Sequence, residues 1–328
     1  MQIAIIGLGA MGSLFGAYLC PCADVTLLGE WPEQLVALRE DGLRLEMADG
    51  RITFCHPYAT NDLSQVPPVD LALILVKSPK TESAANVARQ LLKQKGLVLT
   101  LQNGLGNLEK LTAVLGADRV ALGVTSAGAT MVGAGHVRVA GLGHTYLAGQ
   151  PDTAVTLAQV AALFQRAGFP TELTDNPDSL VWGKLAVNAG INPLTALLRV
   201  PNGYLAEHMA TRKIMAEAAY EVAAVAQALG ITLPYSDAAQ RILEVAQATA
   251  TNHSSMLQDV LRQVPTEIEA ISGAVVSYGR ALHIPTPVNQ MLLEQIRKLE
   301  RGDWNLEIDR EAIISNLQSQ ISEVIIAR

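Results

Sequence analysis

Aromatic residues make up only 4% of this 328-residue chain, cysteines number three, and no cluster of lysine and arginine stands out against a net charge of -7. Each scarcity excludes something. So few rings leave little material for platforms that stack nucleic-acid bases, and an acidic balance without a basic patch argues against a nucleic-acid partner. Cys20, Cys22 and Cys55 are too few and wrongly spaced for a zinc site. Their odd number suits reduced thiols buried as small hydrophobes, and no metal is expected. Long apolar runs are missing as well: Leu71 to Val76 falls far short of a membrane span, and the first residues lack a basic segment and a signal-cleavage pattern. No membrane association is expected, and the expected compartment is the cytoplasm. Neither internal repeats nor low-complexity tracts occur, which leaves no basis for a solenoid or a disordered tail.

What is present is apolar and patterned. Hydrophobic residues form 49% of a chain long enough for two substantial domains. The sequence opens MQIAIIGLGAMG, an apolar run that ends in Gly7-Leu8-Gly9-Ala10-Met11-Gly12. Ile3 to Ile6 have the continuous apolar character of a parallel strand buried on both faces, and Ser13 to Cys20 can continue as a helix. A glycine triplet between a strand and a helix has a specific use. Gly7 permits the tight turn, Gly9 lets the backbone approach a pyrophosphate, and Gly12 allows the helix to pack closely on the strand. The backbone N–H groups of the helix N-terminus then face the anion. A dinucleotide is the expected ligand.

Further along, strand and helix signals alternate. Asp24 to Leu28 reads as a second strand and Pro32 to Arg39 as the helix that follows it; Leu43 to Glu46 and Arg51 to Phe54 flank Asp49-Gly50 as a small hairpin. Leu71 to Val76, Leu97 to Leu101 and Val120 to Val124 are short apolar runs separated by helical stretches at Thr81 to Lys95 and Asn107 to Leu115. Such alternation predicts a parallel, doubly wound sheet. The glycine-rich, β-type stretch from Gly128 to Gly149 is expected to extend that sheet with antiparallel strands. After a last strand at Thr171 to Leu173, the turn formers Thr174-Asp175-Asn176-Pro177-Asp178 suggest a boundary, and long Ala/Leu/Glu/Gln-rich segments follow. The expected helices are Ser179 to Leu198, Ala206 to Leu229, Tyr235 to Ala248, Thr266 to Leu282, Pro287 to Arg301 and a last one from Asp309. The fold class is therefore α/β: an N-terminal Rossmann-type doubly wound sheet at 1–174, then a C-terminal all-helical domain at 175–328.

Chemistry in the second half is concentrated in one helix. Lys184, Asn188 and Asn192 stand at i, i+4 and i+8, on one helical face, in an apolar context. Buried polar groups need partners, so these three either satisfy one another or line a site. Desolvation disfavours the charged form of a lysine there and moves its pKa towards the range of a working general acid. An exposed lysine with two asparagines near Pro193 is the plainer reading. A second polar group, Asn252-His253-Ser254-Ser255-Met256-Leu257-Gln258-Asp259, is followed by Pro265-Thr266-Glu267-Ile268-Glu269. By themselves Ser254 or Ser255 could cap the helix carrying Met256 to Leu261, and Thr266-Glu267 could begin the next one.

Together these pieces resemble the ketopantoate reductase family over essentially the whole chain. The matching segments are the glycine fingerprint, Val76-Lys77, Leu101-Gln102-Asn103-Gly104, Trp182 to Asn188, Ile191 to Ala196, Ser254 to Asp259, Thr266-Glu267-Ile268 and Pro285-Thr286-Pro287-Val288-Asn289. The resemblance implies a dinucleotide-binding domain joined to a helical one with the active site in the cleft between them, and hydride transfer from NADPH or NADH to the C2 ketone of ketopantoate. It also implies roles. Lys184 would be the general acid, stabilising and then protonating the carbonyl oxygen as hydride arrives. Glu267 would orient that lysine and a substrate hydroxyl. Asn188 and Asn192 would bind substrate oxygens, and Ser255 the carboxylate or hydroxyl end. Asn103 would lie between cofactor and substrate, and Lys77 would face the cofactor or the substrate carboxylate. Leu8, Ala10 and Met11 would share the cofactor turn with Gly7, Gly9 and Gly12.

Three departures bear on specificity. The family usually has an arginine after the second strand to hold the 2′-phosphate of NADPH, whereas here the strand ends Leu28-Gly29-Glu30-Trp31. A carboxylate accepts hydrogen bonds from free ribose hydroxyls and repels a phosphate, so Glu30 favours NADH. The stretch Gln263-Val264-Pro265 replaces a segment that commonly carries a basic residue, and Lys77 is followed by Ser78-Pro79-Lys80. The competing readings are a reductase of another 2-keto acid and a non-catalytic NAD(P)-binding module. Expected partners are limited to the small 2-keto acid and a second copy of the chain in a homodimer.

Overall fold

Ile3 and Ile5 point to one face of the first strand, Ala4 and Ile6 to the other, and all four are buried. That double burial is what a continuous apolar strand signals. Helices and a second sheet cover the two sides. The computed structural model describes residues 1–302, 304 and 309–326, which divide into two units: Met1–Gln102 with Gly106–Pro177, and Asn103–Leu105 with Asp178–Arg328.

The first unit runs β1 (Gln2–Ile6), α1 (Ala10–Leu19), β2 (Asp24–Leu28), α2 (Pro32–Glu40), β3 (Leu43–Glu46), β4 (Ile52–Cys55), β5 (Tyr58–Thr60) and β6 (Val69–Ile74). It continues with α3 (Thr81–Leu91), β7 (Leu92–Thr100), α4 (Asn107–Leu115), β8 (Val120–Thr125), β9 (Gly128–Gly133), β10 (His136–Gly141), β11 (Thr145–Gly149), α5 (Ala154–Arg166) and β12 (Thr171–Leu173). Eight strands form the main sheet in the order β12-β11-β8-β7-β6-β1-β2-β5. The strands β5, β2, β1, β6, β7 and β8 pair in parallel, β11 is antiparallel to β8, and β12 is parallel to β11. Chain order reverses at β1, whose neighbours are β2 and β6. A crevice at the carboxyl ends of such strands is where doubly wound sheets take ligands.

Three details of this unit differ from the sequence expectation. The helix expected over Thr81 to Lys95 ends at Leu91, because the chain turns extended at Leu92 (φ -68°, ψ 132°) and β7 begins there. The helix after β1 starts at Ala10 rather than Ser13, because the Gly9 carbonyl accepts the Ser13 N–H at 2.9 Å and the motif residues themselves make the first turn. Of the stretch from Gly128 to Gly149, only β11 extends the main sheet; β9 and β10 join the hairpin in a separate sheet of order β4-β3-β10-β9. The reason is packing. Leu43, Leu45, Met131, Val137 and Val139 share one core with Leu14 and Phe15 of α1, so this small sheet covers the α1 side of the large one. On the opposite side, Ala84, Ala85 and Ala88 of α3 and Leu111 of α4 pack with Ala4, Ile6 and Ile74.

In the second unit every described element is helical: α6 (Pro177–Leu198), α7 (Asn202–Glu207), α8 (Met209–Ala228), α9 (Ala238–Ala248), α10 (Ser255–Leu261), α11 (Ala274–Ala281), α12 (Pro287–Arg301) and α13 (Arg310–Ile326). The segment expected as one helix from Ala206 is two. His208 is extended (φ -107°, ψ 128°), and the Thr211 hydroxyl donates to Leu205 O at 2.8 Å, which stabilises the break. The Thr266 to Leu282 segment begins with a π-turn, Glu269–Gly273, ahead of α11. Central to the unit is α6, whose Leu185, Ala186, Ala189, Ile191 and Leu194 share a core with Ile214, Ala218 and Val222 of α8. Gly190 allows the close approach, since a Cβ there would lie 2.8 Å from Met215 O and 2.3 Å from Ile242 Cδ1. Pro285 to Asn289, one of the segments that carried the resemblance, has a structural task. The buried Glu221 carboxylate accepts Val288 N–H, Asn289 N–H and Asn289 Nδ2, each at 2.8 Å, which supplies the first turn of α12 with an anion and its missing acceptors.

Candidate functional site

The glycine fingerprint makes a turn that a side chain would destroy at two of its three glycines. Gly7 has φ +128°, and a Cβ on it would sit 2.7 Å from Leu75 C; one on Gly12 would sit 1.8 Å from Gly7 O. Gly9 differs: a Cβ there would meet nothing within 4 Å. The protein thus leaves open space at the N-cap of α1. That N-terminus has no side-chain cap and no acidic residue in its first turn, so its orphan N–H groups and the positive end of the helix dipole are available to an anion. These features fit a dinucleotide pyrophosphate. Leu8 is buried, while Ala10 and Met11 are half-buried beside the turn.

Lys77 and Glu30 follow the strands on either side of β1. Lys77 is half-buried and begins a 3-10 turn, Ser78–Lys80, just beyond β6. Glu30, two residues past β2, is exposed, and its Oε2 lies 3.2 Å from Lys80 Nζ. A buried polar network holds the root of that turn. Gln102 Nε2 donates to Val76 O at 2.8 Å and to Thr81 Oγ1 at 2.9 Å, the Thr81 hydroxyl donates to Asn107 Oδ1 at 2.8 Å, and Asn107 Nδ2 donates to Ser78 Oγ at 3.2 Å. Sequence reasoning assigned no role to Gln102, Thr81 or Asn107. Their spacing carries no helical or strand period, because they bond across three different connections.

In the second unit, Lys184, Asn188 and Asn192 all lie on α6. Lys184 is half-buried as a residue, yet desolvation is the strongest influence on its ammonium. Burial pulls the pKa from 10.5 down to about 8, and the charge of Glu267 acts in the opposite sense. The lysine and the glutamate therefore sit within electrostatic range of each other. Glu267 is 6% exposed and lies two residues before the π-turn, which the Gly273 N–H closes on Ile268 O at 3.0 Å; the Glu267 carbonyl accepts Ala270 N–H at 3.0 Å. Such turns recur at functional sites. Two helical turns along α6 from Lys184, Asn192 is 6% exposed and its Nδ2 donates to Ser255 Oγ at 3.5 Å, so the structure brings this predicted pair together. Asn188 lies between Lys184 and Asn192 on the helix and is half-buried.

Adjacent serines divide the work. Ser254 is the N-cap of α10, its Oγ accepting Leu257 N–H at 3.0 Å, and it also bonds Thr195 Oγ1 at 2.7 Å. The cap reading applies to Ser254, and the Thr195 link fixes α10 against α6 so that Ser255 reaches Asn192. Asn103 is half-buried in a loop that packs within the helical unit. Leu105 N–H donates to Ala270 O at 2.8 Å, and Gly104 has φ +80° with no room for a Cβ, which would lie 2.4 Å from that same oxygen. The Asn103 loop is thereby tied to the turn that follows Glu267. Among the described residues, no cluster of three or more His, Cys, Asp or Glu could hold a metal ion, and no helix is long and apolar enough to cross a membrane.

Comparison with known proteins agrees over both units. Residues 3–151 match the family described as "Ketopantoate reductase PanE/ApbA", and residues 177–300 match its C-terminal counterpart. A 2-dehydropantoate 2-reductase of Halobacterium salinarum is 40% identical over 306 residues, which cover 92% of this chain and 99% of that protein. Among solved structures, a PanE/ApbA family ketopantoate reductase from Ralstonia eutropha superposes with a TM-score of 0.83 at 35% identity, covering 92% of this chain and 99% of the other. The structure of D-mandelate dehydrogenase with NADH and anilino(oxo)acetate gives a TM-score of 0.85 at 26% identity, covering 93% of this chain and all of the other.

Proposed function

The chain belongs to the ketopantoate reductase family, and from that membership we propose that it is a 2-dehydropantoate 2-reductase, converting the C2 ketone of ketopantoate to the alcohol of pantoate. The nicotinamide cofactor supplies the hydride when bound. The chain's own residues supply the rest. Residues 1–174 bind the dinucleotide, through the N–H groups of the Gly7 to Gly12 turn at the pyrophosphate and Glu30 at the ribose hydroxyls, with Lys77 facing the cofactor or the substrate carboxylate. Residues 175–328, with Asn103, hold and protonate the substrate.

The structural observation that carries this reading is the desolvated Lys184 on α6, within electrostatic range of the buried Glu267 and on the same helix as Asn188 and Asn192. As negative charge grows on the carbonyl oxygen, a desolvated ammonium stabilises it more than water could, then gives up a proton. A pKa near 8 suits that transfer, because the group is protonated at neutral pH yet releases its proton far more readily than an exposed lysine. Glu267 orients the ammonium and accepts a substrate hydroxyl. Asn188 and Asn192 hold substrate oxygens, and Ser255 takes the carboxylate or hydroxyl end.

Glu30 favours NADH over NADPH, and the NADH in the D-mandelate dehydrogenase structure is consistent with such use on this fold. A spectrophotometric screen of ketopantoate, an aryl 2-keto acid and pyruvate, each with NADH and with NADPH, tests substrate and cofactor together. The highest kcat/KM is expected for ketopantoate with NADH. A higher value for the aryl acid would replace the substrate, and a strong NADPH preference would overturn the role given to Glu30.

A further inference from the structure

The ion pair between Lys80 and Glu30 bears on how this chain chooses its cofactor. Lys80 Nζ stands 3.2 Å from Glu30 Oε2, and the two side chains are 66% and 85% exposed. Their roots lie beyond β6 and β2, the strands that flank β1 and its glycine turn. The lysine is not on a loose loop. Its own N–H donates to Lys77 O at 2.8 Å, and the turn beneath it is pinned by the buried Ser78, Thr81 and Asn107 side chains and the half-buried Gln102. A carboxylate in the position of Glu30 receives the ribose hydroxyls of a bound dinucleotide. A cation one hydrogen bond away from that carboxylate is then in reach of whatever the ribose carries at its 2′ position.

We propose that Lys80 is a second determinant of cofactor choice, held in check by Glu30. On the dinucleotide assignment made above, Glu30 acts twice: it accepts the ribose hydroxyls, and it occupies the Lys80 ammonium, which a 2′-phosphate would otherwise engage. The ion pair is a locally neutral gate. With Glu30 neutralised, Lys80 becomes a free cation facing a dianionic group, and the preference turns towards NADPH. A lone acidic residue would behave differently, since its removal would relieve repulsion to the same extent whether or not Lys80 were present.

The test is direct binding. Dissociation constants for NADH and NADPH are measured by fluorescence titration on the full-length protein as native chain, Glu30→Gln, Lys80→Gln, the double variant, and Glu30→Gln with Lys80→Arg. Both side chains are mostly exposed, so the substitutions leave the fold intact, and the circular dichroism spectrum and Tm of each protein check this. The expected result is a roughly tenfold to hundredfold rise in the NADPH:NADH affinity ratio for Glu30→Gln, the scale of one charge-assisted hydrogen bond. Most of that gain should vanish in the double variant, persist with arginine, and weaken at high salt. An equal gain with and without Lys80 would overturn the proposal while leaving the dinucleotide assignment in place. Failure of the native protein to bind either dinucleotide would overturn both.

Discussion

Around the glycine turn after β1, the assigned binding is done by what side chains leave out. Gly9 keeps open space where a Cβ would meet nothing within 4 Å, and α1 begins without a side-chain cap. Along α6 the situation is reversed. The roles assigned to Lys184, Asn192, Glu267 and Ser255 are side-chain roles, at buried or half-buried positions, with Lys184 under the influence of Glu267 and Asn192 bonded to Ser255. Backbone dipoles in an open crevice hold an anion with no titration and little dependence on neighbours. Buried side chains gain reactivity from desolvation, and they become sensitive to pH and to the loss of any one partner. The two regions should therefore fail in different ways.

Lys184→Ala should give the largest effect. It is expected to lower kcat on ketopantoate by about 10²- to 10⁴-fold, the usual contribution of a positioned acid, with the NADH dissociation constant unchanged. Near-native turnover would remove Lys184 from the chemistry. In the unsubstituted protein, kcat/KM should be flat well below the pKa of Lys184 and fall as the lysine loses its proton, with the midpoint at about 8. Glu267→Gln removes the influence that raises this pKa, so the falling limb should move to lower pH. Stability should run the other way. The unfolded chain holds this proton more tightly than the folded one, so between about 8 and the ordinary lysine value of 10.5 the group's contribution to stability rises with pH.

The glycines sharpen the other side of the comparison. A Cβ on Gly12 would lie 1.8 Å from a backbone oxygen, so Gly12→Ala must displace the helix or the strand. It is expected to lower Tm by an amount that reflects about 1–3 kcal/mol of overpacking. Gly9→Ala should leave Tm unchanged, because the protein offers nothing to clash with, while weakening NADH binding roughly tenfold or more by standing where the pyrophosphate approaches. Equal losses of stability in both variants would mean that the space at Gly9 is not reserved for a ligand.

This difference also decides how much could be read from the chain. The glycine turn was legible because backbone requirements leave a local mark: strand, three glycines and helix follow one another within about twenty residues. The parallel sheet was legible for the same reason. The placement of β9 and β10 was not, since alternation in a glycine-rich stretch specifies a strand but not which sheet it joins; His136 pairs with Arg44, ninety-two residues earlier in the chain. On α6, helical spacing alone put Lys184, Asn188 and Asn192 on one face. Their partners Glu267 and Ser255 lie on other elements and were reached only through the family resemblance. Lys80 shows the limit most clearly, because its significance depends on Glu30, fifty positions away, and no periodicity links the two.

The smallest expected effects come from neighbouring serines, and they test the comparison inside the helical unit. Ser254 caps α10 and bonds Thr195 at 2.7 Å; among the described residues Ser255 makes a long contact, 3.5 Å, with Asn192. A bond that long is weak, so it holds neither group firmly and both remain able to accept or donate to a ligand. Ser254→Ala should therefore cost about 1 kcal/mol of stability, as loss of an N-cap does, with little change in KM beyond that caused by a looser α10. Ser255→Ala should leave stability within about 0.5 kcal/mol, the range for substitutions that break no strong contact, and raise the KM for ketopantoate several-fold. Denaturant titration and steady-state kinetics on the two variants separate these outcomes. Should Ser255→Ala destabilise the protein and leave KM alone, the second serine would belong to the scaffold with the first, and substrate contacts on this face would fall to Asn188 and Asn192.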